Sequence, residues 1–273
     1  MAPEQLEPLP AAADLYEYRV GDEGGVPIWQ PYNQGDVFTE VPLAGLTGEQ
    51  GTGYAMLFLH PCTMRQGRLM APRLTVLHVK AVSRKKPLDE PRHWDRKYAA
   101  IPLPDFSGGG VDAFEADLMA MATVPLAALD RSKRVVQLSE AGRSHMLHRV
   151  IFHLTRKSVP TLVLTQATAR VQAEIQLQGD WTASAFAASG GALTAGQIEV
   201  VEAAFQDQLD HEWPEGGQGR DDTVRAHLHS ESDVEHEEAF RFLAKLSAGA
   251  APADSIPALG AGNHSTARAD LEL

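Results

Sequence analysis

The run Tyr54–His60 (YAMLFLH) most constrains the fold. It is apolar until its last residue and is too short for a typical helix. The glycine-rich stretch Thr47–Gly53 (TGEQGTG) precedes it and Pro61 follows it. A run of this length and bounding, without polar alternation, predicts a central strand covered on both faces. Such a strand needs neighbours. Asp36–Val41 reads as a short strand ended by Pro42, and Leu74–Val82 (LTVLHVKAV) as a third, rich in β-branched residues. Ala99–Leu103, Phe114–Val124 and Arg134–Leu138 extend the set, although ADLMAMA within the second also suits a helix.

The pattern changes at Ser139. Ser139 is an N-cap with Glu140 in the first turn, and Met146, Leu147, Val150, Ile151 and Leu154 follow at helical spacing. This predicts a helix to about Arg156 that buries the apolar stripe, with Pro160 as a stop. A second helix is read from about Thr165 to 178. Thr194 and Gln197 form a capping box ahead of the stripe Ile198, Val201, Phe205 and Leu209, ended by Trp213-Pro214. Ser232 and Glu235 form another such box. The expected order is therefore an extended arm over 1–34, a β-rich domain over 35–138, a helical region over 139–247 and a disordered tail over 248–273. Strands first and helices second define an α+β fold, with a small barrel-like sheet leading a helical half.

Charge is divided along the chain. Net charge is −12, but residues 65–157 carry 17 Lys/Arg against 9 Asp/Glu, between acidic flanks. The basic middle either meets an acidic protein or nucleic-acid ligand, or is neutralised by the chain's own acidic ends. The lone Cys62 allows no disulfide within the chain. The N-terminus lacks the pattern of a secretory signal, and no run is long and apolar enough for a membrane helix. A cytoplasmic protein without cofactor is expected.

Residues 35–64 also resemble the opening of the MazF/PemK/Kid toxin family. The matching pieces are Gly35-Asp36-Val37, Gly48-Glu49-Gln50-Gly51 and Ala55–Leu59. The resemblance implies a small SH3-like barrel and RNA cleavage. The family's Arg-Pro pair precedes the buried strand, and here Gly53-Tyr54 stands in that place. Under this reading Arg65, Arg68 or Arg73 supplies the missing cation, and His60 or Glu49 moves protons.

Other residues are chemical candidates in their own right. Asp36 and Glu49 are either solvated loop carboxylates or an acid/base pair beside a cleft. His60 and Cys62 are either a strand-end histidine with a buried thiol, or a nucleophile and its base, or half a metal site. In the Ser139 helix, His145, His148 and His153 are read as surface or boundary residues without a ligand set. Arg143, Arg149, Arg156 and Lys157 make that helix basic, and Arg149 and Arg156 share a side on which an anion can bind. His227, His229 and His236, set among acidic residues, are the candidate metal ligands, against a reading as capping and solubility groups. These features favour a non-catalytic binding module. A ribonuclease-like enzyme and a structural component of a phage or other assembly are the alternatives.

Overall fold

The computed structural model describes residues 6–22, 25–48, 50–66, 69–82, 97–104, 106 and 113–211. The chain divides into two units. One holds Met1–Gln66 and Met70–Gln172, and the other holds Gly67–Leu69 and Ala173–Leu273.

The first unit is built on an antiparallel sheet. Its strands are β1 (Tyr16–Arg19), β2 (Val37–Pro42), β3 (Thr52–Leu57), β6 (Arg73–Ala81), β7 (Ala100–Pro104), β8 (Ala113–Pro125) and β9 (Arg134–Leu138), in the order β1-β9-β2-β3-β6-β8-β7. The short β4 (Arg65–Gln66) and β5 (Leu69–Met70) form a separate ribbon. Alternation sorts the side chains to two faces. Val37, Met56, Leu77, Val79, Ile101, Ala116, Val136 and Leu138 pack together on one side. Phe38, Ala55, Leu57, Leu74, Val76 and Val124 pack on the other. The central run is therefore covered on both faces, as its composition requires. Its strand stops at Leu57 rather than at His60.

The sheet corrects one expectation. No barrel closes over 35–138, because the order of strands ends on β1 and β7, which do not pair with each other among the described residues. The first edge is supplied from within the N-terminal arm, where β1 pairs with β9. Ala113–Pro125 is a strand throughout, which resolves the ambiguity of ADLMAMA. The register on β6 jumps from His78↔Asp117 to Leu77↔Met121, so β8 bulges over 118–120. The glycine loop is preceded by the one-turn helix α2 (Ala44–Thr47), and Gly48 and Gly51 take φ of 77° and 117° there.

Two helices matter for the first unit. α1 (Ala12–Leu15) is a single turn before β1, and α3 (Glu140–Thr155) begins where β9 ends. Ser139 caps α3 as predicted, its Oγ accepting the Gly142 N–H at 3.1 Å. The Ser139 N–H donates to the Leu15 carbonyl at 2.9 Å. This close approach needs glycine at 142, because a Cβ there runs into the Leu15 carbonyl oxygen. α4 (Thr161–Ala188) starts in this unit and continues into the second.

In the second unit, α5 (Ala195–His211) is opened by the predicted capping box. The Thr194 N–H donates to Gln197 Oε1 at 2.8 Å. Ile198, Val201 and Phe205 are buried, and Phe205 packs with Leu177 and Trp181. The Trp181 Nε1–H donates to the Val201 carbonyl at 3.1 Å. The Ser232 helix and the 248–273 tail lie outside the described residues.

Gly142→Ala should lower unfolding stability by about 1–3 kcal/mol through overpacking. Gly196→Ala in α5, where a Cβ meets nothing within 4 Å, should raise it by about 0.5–1 kcal/mol. Urea unfolding of the two variants checks this. Equal midpoints would show that α1 and α3 do not meet at Gly142.

Candidate functional site

The inner face of α3 is polar. Its buried residues are Gly142, Arg143, Ser144, His145, Met146, His148, Arg149 and Phe152. The apolar stripe read from the sequence is only partly inside. Met146 is buried, Leu147, Val150 and Ile151 are intermediate, and Leu154 is 74% exposed. The surface reading of His145 and His148 is therefore corrected. So is the reading of one basic side, because Arg149 is buried while Arg156 is exposed at the helix end.

Burial of these cations is tolerated because backbone carbonyls meet them. An Arg143 Nη1–H donates to the Leu138 carbonyl, and an Arg149 Nη1–H to the Lys97 carbonyl at 3.4 Å. The Arg149 Nε–H points at His145 Nε2, also at 3.4 Å. The two histidine rings stack with centroids 6.1 Å apart. Burial, followed by the nearby Arg149 and His148, pushes the His145 pKa down to about 3, so its imidazole is neutral. His148 is held at both nitrogens. Nε2 accepts the Glu7 N–H at 3.1 Å, so Nδ1 carries the proton and donates it to the Val159 carbonyl at 2.7 Å.

Glu7 links this face to α4. Its Oε1 accepts the Thr161 N–H at 3.0 Å, and its Oε2 accepts the Thr161 hydroxyl at 2.6 Å. A carboxylate on the first turn of a long helix meets both the free N–H groups and the favourable end of the helix dipole. α3 and α4 are joined by residues 156–160, with Arg156 in the left-handed region at φ 60°. At this elbow large apolar side chains face water. Leu162 is 67% exposed and Val163 48% in the first turn of α4, and Leu154 is 74% exposed in the last turn of α3. The Arg156 guanidinium lies 5.3 Å from the Tyr98 ring centroid, and that ring packs 5.3 Å from Phe152. His153 Nδ1 donates to the Tyr98 carbonyl at 2.9 Å.

A second polar centre sits under the arm. Asp36 and Arg134 form a fully buried ion pair, with Nη1 to Oδ2 at 2.9 Å. Arg134 also donates to the carbonyls of Pro27, Gln30 and Pro31. Arg131 donates to the Gln30 carbonyl and lies 4.2 Å from the Tyr32 ring centroid. Asp36 accepts the Asn33 N–H at 2.9 Å, while its Oδ1 has no hydrogen-bond partner among the described residues. Burial outweighs the Arg134 charge and raises the Asp36 pKa. Asp36 is thus neither a solvated loop carboxylate nor a cleft acid. It helps fasten residues 27–36 to β9.

The remaining candidates are scattered. His60 is partly buried in the turn after β3, and burial lowers its pKa. The Thr63 hydroxyl donates to its carbonyl at 2.7 Å. Arg65 lies on β4, and Arg73 lies exposed on β6 with Nη2 donating to the Thr123 carbonyl at 2.9 Å. Glu49, Arg68, the Cys62 side chain, His227, His229 and His236 lie outside the described residues. Among the described residues, no group of His, Cys, Asp and Glu is arranged to hold a metal. Much of the basic middle is spent internally. Arg131, Arg134, Arg143 and Arg149 are buried, and Lys80, Lys97 and Lys133 pair with Asp117, Glu115 and Glu40.

Sequence reasoning missed Glu7, Tyr98 and Arg134. Glu7 and Thr161 are 154 residues apart and belong to no motif. No family model matches the chain, and no curated protein sequence matches it. No helix among the described residues is long and apolar enough to cross a membrane.

Arg134→Met should cost about 3–5 kcal/mol, because it strands the buried Asp36 carboxylate and frees the arm. Asp36→Asn should cost much less at neutral pH. The raised pKa means that the folded chain binds the Asp36 proton more tightly than the unfolded chain does. Its contribution is therefore lost as pH rises from about 3.9 through the folded value, and Asp36→Asn should remove that fall. Equal penalties for the two variants at pH 7 would contradict the balance described.

Proposed function

We propose that this protein is a non-catalytic protein-interaction module, and that its docking surface is the elbow between α3 and α4. The observation that carries this reading is the exposure of Leu154, Leu162 and Val163 at two helix ends. Solitary exposed apolar residues are ordinary, but three large ones about a single helix junction fit a docking patch. Arg156 and Lys157 are exposed within the junction, and His153 and Tyr98 lie beside it. That rim fits a partner segment that combines apolar and acidic residues.

The internal use of charge supports the same reading over an enzyme acting on RNA. Asp36 and Arg149 are buried and engaged within the fold. His60 lies in the turn after β3, whereas Arg149 lies on α3.

The test is a photo-crosslinking residue placed at Leu162 in cells that naturally make the protein. It should give an adduct of one discrete mass. The adduct should disappear when Arg156→Glu and Lys157→Glu are added, and the same probe at Lys133 should give none. Identical adducts at Leu162 and Lys133 would remove the elbow as the docking surface. Specific cleavage of mixed RNA by the purified chain would overturn the non-catalytic reading.

A further inference from the structure

We infer that the N-terminal strap Leu6–Leu9 occupies the place of the partner, and that the elbow accepts an extended segment of the same pattern, apolar–Glu–x–apolar, in its stead. The inference rests on the reading of the elbow as a docking surface and names the chemistry that it recognises.

The strap is seated by few groups, and they converge on one residue. The Glu7 carboxylate takes both the N–H and the hydroxyl of Thr161, and the Glu7 N–H reaches the fully buried His148. Leu6 is buried, and Leu9 packs against the sheet core. Residues 6–10 are neither helix nor strand, so no ladder of backbone bonds holds them. Pro8 and Pro10 favour an extended backbone and lack N–H donors. Beyond Pro10 the chain is fixed differently. α1 meets α3 through the Leu15 carbonyl, and β1 pairs with β9. The strap is therefore held by three side chains and no backbone ladder, beside a firmly paired arm, and it can open locally without unfolding the domain.

The strap also leaves the surface incompletely covered. It satisfies Thr161, yet Leu162 and Val163, the next two residues, remain exposed. An intermolecular segment carrying the Leu-Glu-Pro-Leu pattern can make the same bonds as Glu7, and apolar residues outside that pattern can cover these two side chains. The His148 acceptor and the Thr161 donors select a main-chain N–H and a carboxylate in sequence. The ligand they fit is thus an extended acidic peptide.

The experiment uses the full chain carrying Leu6→Ala and Glu7→Ala, with a fluorescein-labelled peptide of residues 5–11 (QLEPLPA) followed by anisotropy. The double variant should bind the peptide at least about tenfold more tightly than the wild-type chain, whose own strap competes. Replacing the peptide's glutamate by glutamine, or adding Thr161→Val to the protein, should weaken binding by about tenfold or more. A double variant that melts like the wild type and does not bind the peptide would overturn the inference. Amide exchange of the wild type reads the same device without any substitution. The Thr161 amide should exchange through local opening, well ahead of the α3 amides. Exchange of both only on global unfolding would equally overturn the inference, whether or not the double variant folds. A Leu162 adduct without peptide binding would leave the elbow standing and remove the strap. Peptide binding without the adduct would do the reverse.

Discussion

The structure depends on the burial of α3's polar face. Arg143, His145, His148 and Arg149 point inward; carbonyls of Leu138, Val159 and Lys97 receive Arg143, His148 and Arg149, and His145 Nε2 faces the Arg149 Nε–H. Those acceptors come from the end of β9, the α3–α4 connection and the approach to β7. One helix therefore ties its own two flanking segments and the remote Lys97 together with hydrogen bonds rather than with apolar contact alone. Buried polar groups of this kind favour one packing, because any other leaves charged groups without acceptors. The same burial decides the surface. With the cations inside, Leu154 is left outside, and the chain turns through Arg156 into a helix that begins with two more exposed apolar residues.

The arm is fixed by a related device. Arg134 gathers the carbonyls of Pro27, Gln30 and Pro31 and neutralises Asp36. A segment with so little regular structure needs acceptors satisfied one by one. The guanidinium's fork of donors suits that task better than a point charge does. Fixing residues 27–36 in turn sets the entry of β2, and β2 lies between β9 and β3 in the sheet. The N-terminal strap is held instead by the side chains of Leu6, Glu7 and Leu9.

Much of the sheet was legible in the sequence, because apolar runs and β-branched residues mark strands whichever partners they find. Arg134–Leu138 matches its strand at both ends, and Ser139 and Thr194 cap helices as their spacing predicts. What escaped has a physical reason. Tyr16–Arg19 (YEYR) is a strand only because β9 offers it an edge, and its composition suits an arm equally well. The stripe Leu147, Val150, Ile151 and Leu154 pointed to the wrong inner face of α3. Periodicity weighs hydrophobicity alone and cannot see that carbonyls outside the helix will meet its arginines and His148. The open sheet escaped as well, since closure is a property of the whole strand order and not of residues 35–64. The candidate site was the least legible part, because its contacts join Glu7 to Thr161 and Tyr98 to Arg156 across the sequence.

The orientation of α3 is the central claim, and the His145 ring reports it directly. Its imidazole signals, followed by NMR in the folded chain from neutral to acid pH, should show no protonation near 6.5 and should stay neutral towards about 3 for as long as the fold persists. Titration near 6.5 with free exchange to water would contradict the buried polar face. It would turn the helix over and place Leu154 inside.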